Sequence, residues 1–349
     1  MSNLYISTYP ASSRIDLCNA LAGQHQYGIW HYVHADGEET ILRDATFTNH
    51  WLPVGHLMGK TYAKGLRRLL LQERPKVIMV QEFSLITIQL LLLRRRFGYK
   101  LVSICDDSMD MIRGNDFSWT HRLARRVIPR FLDDVILHSV AVRDWYRAHF
   151  GKGLMMPIIA DERRIIPALE EALPLAKELS VDERPVVAFV GRLVGLKNIP
   201  TLLRAFAPWK DRGQLVIIGD GPERKALEAM APYALFTGML SGKDLFAWYN
   251  RMDVLVLPST QEAYGAVTGE ALMAGAQVIV SDRAGSLDLV REGINGFLVN
   301  PLDEDALSQR IGQCLNTVPS VRPDAVRPNL LPYRFSQCLQ LLLEGINGL

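Results

Sequence analysis

The feature that most constrains this chain is the alternation of short apolar runs with longer stretches of helical periodicity. The runs are NLYIS, GIWHYVH, KVIMVQ, KLVSIC and DDVILHS, then PVVAFV, QLVIIG, ALFTG, DVLVLP and QVIVS. Strands that alternate with helices build parallel sheets, because a parallel neighbour is reached only by a crossover. Segments such as VVAFV and VLVL are apolar at every position and so need cover on both faces. The prediction is an α/β chain of doubly wound, Rossmann-like sheets.

A length of 349 residues exceeds one ordinary core and fits two domains. The strand pattern pauses over PIIADERRIIPALEEALPLAKELSVDERP, residues 157 to 185. The expected domains are therefore 1–165 and 166–333, facing a central cleft. Ligands of open sheets gather beyond the carboxyl ends of the strands, so that cleft is the expected binding place. A last helix at 334–349 follows a proline-rich connection at 318–332 and is expected to pack back on the first domain.

The net charge of +2 is too small to argue for nucleic acid, although the excess of basic residues lies in the first half. Cys18, Cys105, Cys314 and Cys338 are far apart, without paired or zinc-ligand spacing, which fits a reduced compartment. The start, MSNLYISTYP, lacks the basic and apolar stretches of a signal peptide. No apolar run approaches the ~18 residues of a membrane span, so a cytoplasmic location is expected. The longest, LITIQLLLL ahead of Arg94, Arg95 and Arg96, suits a buried helix with a cationic end.

Chemistry concentrates in the second half. DVLVLPSTQEAYGAVTGEALMAGAQVIVS, residues 253 to 281, reads as strand, loop, helix and strand. With the helix starting near Gly265, the amides of Gly265, Ala266, Val267 and Thr268 are expected to be free and to favour an anion such as a diphosphate. Glu262 before that helix and Glu270 in its early turns can accept hydrogen bonds from sugar hydroxyls. For either alone the simpler reading is a solvated loop residue or a helix-dipole partner.

A second segment shifts that balance. FVGRLVGLKNIPTLLRAF, residues 189 to 206, places Gly191, Arg192 and Lys197 between a strand and a helix. Arg offers a planar fork and Lys a point charge, both suited to phosphate. IGDGPERKAL adds a turn with Asp220 and Gly221, with Pro222 suited to a first helical turn, and FTGML brings backbone near Met239 to the same sheet edge.

In this order, FVGRLVGLKN, IGDGPE, FTGML, DVLVLPS and EAYGAVTGEALMAG resemble the family 4 retaining glycosyltransferases of the GT-B fold. The resemblance covers residues 180 to 310 and includes the spacing of Glu262 and Glu270. It implies Arg192 and Lys197 on the diphosphate, Glu270 on the ribose, and Glu262 with the backbone of Gly265 to Val267 on the donor sugar and phosphate. Tyr264 stands where the family commonly has Phe.

The first half departs from the family. YPASSRIDL at 9–17 replaces a pair of glycines, leaving Ser12, Ser13 and Arg14 as a candidate acceptor or phosphate loop. In LVSICDDSMDM at 101–111, Cys105 occupies a histidine position and Asp106 remains. His138 and Ser139 resemble a family segment, with a buried or capping role equally open, and no catalytic histidine is assigned.

The implied activity is retaining transfer of a hexose from a UDP- or GDP-sugar to a glycan or lipid-linked acceptor, as in surface polysaccharide or glycoconjugate synthesis. Negative charge growing on the departing diphosphate would be stabilised by Arg192 and Lys197, with Glu262 as the third catalytic candidate. No metal or other cofactor is expected: Asp303 and Asp305 sit at a helix start, where capping explains them, and DDSMD at 106–110 follows a strand. The rivals are a sugar-nucleotide epimerase and a silent sugar-nucleotide-binding subunit. Arg94 to Arg96 with Arg122, Arg125, Arg126 and Arg130 suggest an anionic membrane surface as a partner, ordinary solvated helices being the alternative.

Overall fold

A computed structural model describes residues 3–34, 38–114, 118–179, 183–317 and 324–349. The chain divides into two compact units, one formed by residues 1–158 and 336–349 and the other by 159–335. The break falls earlier than the expected 165/166. The reason is helix Glu162–Glu178, which packs on helix Gly242–Arg251 through Ala172, Ala176 and Ala247. That contact holds despite Pro167 and Pro174 inside the helix, and Asn250 adds a 2.7 Å hydrogen bond to the carbonyl of Leu169. Residues 180–182 of the expected linker and 318–323 of the proline-rich connection lie outside the described residues.

The first unit holds β1 (Asn3–Ser7), β2 (Tyr27–His31), β3 (Asn49–Trp51), β4 (Val54–Leu57), β5 (Lys60–Ala63), β6 (Val77–Gln81), β7 (Lys100–Ile104), β8 (Asp134–Leu137) and β9 (Leu154–Met155). Seven form one parallel sheet in the order β3-β2-β1-β6-β7-β8-β9, and β4 and β5 make a separate antiparallel hairpin. Helix Phe335–Asn347 turns Leu339, Leu342 and Ile346 inward, and Gly345 sits so close to Leu154 that a side chain would clash.

The second unit contains β10 (Val186–Val190), β11 (Gln214–Ile218), β12 (Leu235–Gly238), β13 (Val254–Leu257), β14 (Gln277–Ser281) and β15 (Gly296–Val299). They form one parallel sheet in the order β12-β11-β10-β13-β14-β15. Every residue of β10 and β13 is buried, as their unbroken apolar character requires. Burial stabilises each such Val, Leu or Phe by about 1.5–3 kcal/mol relative to exposure. In both sheets the order reverses beside the first strand of the unit, and in the second that switch point lies between β10 and β13.

Strands β3, β9, β15 and the hairpin lie outside the runs read from the sequence. They are short, and several carry polar or half-exposed positions that weaken the apolar signal. Helix Leu85–Phe97 is also less enclosed than expected: Ser84 and Thr87 form a capping box at its start, but Leu92 is 78% exposed.

Candidate active site

At the carboxyl edge of the second sheet, the loops after β10, β11 and β12 are fastened main chain to main chain. The Gly191 amide donates to Ile218 O (2.9 Å), Leu193 N to Asp220 O (2.9 Å) and Gly219 N to Gly238 O (2.8 Å). Gly219 has φ +139°, and a Cβ there would lie 1.9 Å from the carbonyl oxygen of Gly191. Only glycine fits this crossing. A side chain on Gly221 would likewise strike the backbone of Leu193.

The loop after β10 presents Arg192 and Lys197, and the loop after β13 presents Glu262. Thr260 N donates to Leu196 O at 2.9 Å, which brings the two loops together. Lys197 Nζ donates to Glu262 Oε2, and Ser259 Oγ donates to the same oxygen at 3.3 Å. The lysine side chain is 21% and the glutamate 13% exposed, so this pair is largely shielded. Arg192 is exposed and, among the described residues, has no ion-pair or hydrogen-bond partner for its guanidinium. The two predicted phosphate ligands therefore differ: one is already matched by a carboxylate and the other is open.

Helix Val267–Met273 follows Gly265, whose φ of +92° belongs to the left-handed region that favours glycine. A Cβ there would fall 2.5 Å from Leu257 and 3.4 Å from Glu262. Among the described residues, the amides of Gly265, Ala266 and Val267 donate to no protein acceptor, whereas Thr268 N bonds Gly265 O at 3.1 Å. Thr268 also departs from the expected donor contact in its side chain, which is fully buried with its hydroxyl 3.0 Å from Ser286 Oγ. A tight first turn consumes the fourth amide.

Glu270 projects from that helix and accepts a hydrogen bond from the hydroxyl of Tyr249, a fully buried residue on helix Gly242–Arg251. Burial first, and then the Glu270 charge, hold the Tyr249 phenol well above its ordinary pKa, so it stays a donor. Asp220 turns back to its own loop, accepting from Gly221 N (2.7 Å) and Arg224 (3.2 Å). Met239 is 80% exposed, and Tyr264 is buried. Asp303 accepts from Ala306 N at 2.9 Å, a helix cap as expected.

In the first unit, Arg14 leaves the serine loop behind. Ser12 and Ser13 are exposed, but Arg14 is 6% exposed and donates to Asp106 Oδ1 and, at 3.4 Å, to Tyr5. His138 Nε2 lies 2.9 Å from the same Asp106 oxygen, and its Nδ1 lies 2.7 Å from Met156 O. Thus Arg14 and Asp106 do come together, as an ion pair buried on the arginine side and partly open on the aspartate side. Burial works against an ionised Asp106, but the His138 hydrogen bond and the Arg14 charge outweigh it and hold the carboxyl well below the usual range.

Next to them stands Glu82, which sequence reading missed. It follows β6 with φ +62°, accepts from Asp106 N at 2.9 Å and from Arg125 at 3.3 Å. Although 30% of its side chain is open, the carboxylate is hemmed in by protein. Burial, with the charges of Asp106 and Asp107, pushes its pKa up to about 7. Arg125 also binds Asp107 Oδ1 at 2.7 Å, and Tyr146 donates to Asp107 Oδ2 at 2.7 Å. Glu82, Cys105 and Asp107 bring potential metal-ligand atoms within 4.8 Å of one another. Arg125 already pairs with Glu82 and Asp107, and burial pushes the Cys105 thiol well above its ordinary pKa, so this set fits the arginine guanidinium better than a metal ion.

Two Rossmann-like units, each a parallel sheet flanked by helices, are the architecture of the GT-B class. HepE of Anabaena in complex with UDP aligns over all of both chains with TM-score 0.79 at 18% identity. Sucrose-phosphate synthase of Thermosynechococcus elongatus covers 100% of this chain and 99% of its own, with TM-score 0.76 at 17% identity. Within that class, residues 184–317 match the model of the family described as glycosyl transferases group 1.

Among curated relatives, a GDP-mannose-dependent alpha-mannosyltransferase of Corynebacterium glutamicum is 39% identical over 185 residues, 52% of this chain and 42% of that protein. The same-named protein of Mycolicibacterium smegmatis is 34% identical over 191 residues, 53% and 47% of the two chains. The matched region thus spans less than half the length of these relatives.

Proposed function

We propose that the protein is a retaining, metal-independent glycosyltransferase that moves a hexose from a nucleoside-diphosphate sugar to a glycan or lipid-linked acceptor. The observation that carries this reading is the cluster at the β10/β13 switch point: open Arg192, paired Lys197 and Glu262, three unengaged amides at Gly265 to Val267, and Glu270 held by Tyr249. GDP-mannose is the first donor to test, because the relatives just described are GDP-mannose-dependent. A cytoplasmic location at a membrane surface accompanies a lipid-linked acceptor in this proposal.

Within it, the diphosphate lies on the three amides and on Arg192 and Lys197, and Glu270 accepts from the ribose hydroxyls. Glu262 orients the sugar while keeping Lys197 in place. As the bond between the anomeric carbon and phosphate lengthens, charge grows on the phosphate oxygens, where fixed cations and amides stabilise it. The cations supply what a divalent metal would otherwise supply.

The experiment is nucleotide release from a panel of GDP-, UDP- and ADP-sugars, with and without lipid-linked acceptors and with a chelator present. Acceptor-dependent release from one donor, unaffected by chelation, is expected. A new sugar nucleotide formed without acceptor, or activity restored only by magnesium, would overturn the reading.

A further inference from the structure

The first unit carries a face that transfer chemistry leaves unused. Helix Leu85–Phe97 and the segment 119–131, a helix (Trp119–Val127) continued by a 3-10 turn (Ile128–Phe131), flank a groove of about 830 Å³. Ile88, Leu91, Leu92, Val127 and Phe131 line it. Leu92 is 78%, Phe131 60% and Trp119 70% exposed. Trp119, Leu123, Val127 and Phe131 recur every fourth position and form one open apolar stripe.

Arg122, Arg126 and Arg130 recur at the same spacing and form a second stripe beside it. Of the arginines in this region, Arg94 is committed to Asp133 (2.7 Å) and Phe131 O (2.8 Å), and Arg125 turns inward to Asp107 and Glu82. Both therefore drop out of the surface set read from the sequence. Among the described residues, no carboxylate pairs with Arg95, Arg122 or Arg126. Arg122 and Arg126 also line a smaller recess of about 120 Å³ on the other flank of their helix.

We propose that this face binds an anionic bilayer surface, with one lipid chain entering the groove and the unpaired arginines holding headgroup phosphates. Apolar side chains interleaved with cations suit the boundary between headgroups and acyl chains, where arginine keeps its charge in water while its stem lies on apolar surface. A second copy of this chain fits less well, because a two-fold contact would set each arginine stripe against its counterpart. This deepens the lipid-linked part of the proposed function by naming the surface. Its test needs no donor, so it can fail or succeed separately from transfer.

The full chain is sedimented with phosphatidylcholine vesicles with and without phosphatidylglycerol. Binding is expected to the anionic vesicles at low salt and to be largely lost near 1 M salt, where the screening length falls to ~3 Å. Replacing Arg122 and Arg126 together by Gln should weaken binding about 30-fold, since each such cation contributes roughly fivefold. Leu92→Asp should weaken it ~10-fold or more with an unchanged melting profile, because Leu92 is already exposed. Equal binding to neutral vesicles, no binding at low salt, or full binding by the double variant would overturn the proposal. A dimer that Leu92→Asp dissociates, without vesicle binding, would reassign the face to a second copy.

Discussion

Tyr249, on helix Gly242–Arg251, reaches across to Glu270 on helix Val267–Met273: a fully buried phenol donates its hydrogen bond to the carboxylate. Carboxylates are mobile at their terminal torsion, and a fixed donor restricts that freedom. Tyr249 is thus a positioning residue for the proposed ribose contact.

Tyr249→Phe should therefore weaken nucleotide binding by about 1–2 kcal/mol, a fivefold to thirtyfold rise in Kd, with kcat changed less than KM. Titration calorimetry with the nucleotide product separates this from a purely structural role. Unchanged affinity in a folded variant would remove Tyr249 from the site.

For Arg192 the expectation is kinetic. Arg192→Ala should lower kcat by ~10²–10³-fold, the range found when one preorganised charge-stabilising donor is removed. Because the side chain is exposed and unpaired, the melting temperature should hardly move. Near-normal turnover would refute its assignment.

Asp106→Asn strands the buried Arg14 without its counter-charge. A fully buried pair broken on one side costs about 3–5 kcal/mol, and the 36% exposure of the Asp106 side chain reduces that to roughly 2 kcal/mol. Its depressed pKa means that the wild-type advantage is present above the ordinary carboxylate range and fades as acid protonates Asp106 in the fold. Urea midpoints at pH 7 and near pH 3 should show the gap narrowing; a constant gap would contradict the ion-pair account.

Glu82 has the opposite sign. With a folded pKa near 7, the native protein keeps a proton that the unfolded chain releases earlier, so this group lowers stability as pH rises from about 4.5 to 7. Glu82→Gln should flatten the decline across that window in a urea series. An identical slope in both proteins would show that Glu82 is ionised throughout.

What could be read from the sequence follows from distance along the chain. The second unit's site is assembled by loops that each follow a strand directly, so Arg192, Glu262 and Gly265 are announced by the apolar runs before them. Tyr249 carried no such signal, because it lies on a helix and acts across to another. In the first unit, Arg14, Glu82, Asp106 and His138 meet only because β1, β6, β7 and β8 are neighbours in one sheet. No local pattern joins residues spread over more than a hundred positions, and Glu82 went unnoticed for that reason. The sequence offers Arg14 with Ser12 and Ser13 as a candidate acceptor or phosphate loop, and nothing local points to its partner Asp106, 92 residues away.

The crossing of Gly219 over Gly191 separates two kinds of change. Where loops are joined through carbonyls and amides, exchanging an outward side chain such as Met239 leaves their spacing intact. Under the proposed function, a lineage carrying this arrangement can retune which base or sugar it accepts one substitution at a time, while any new side chain at Gly219 would disturb several loops together.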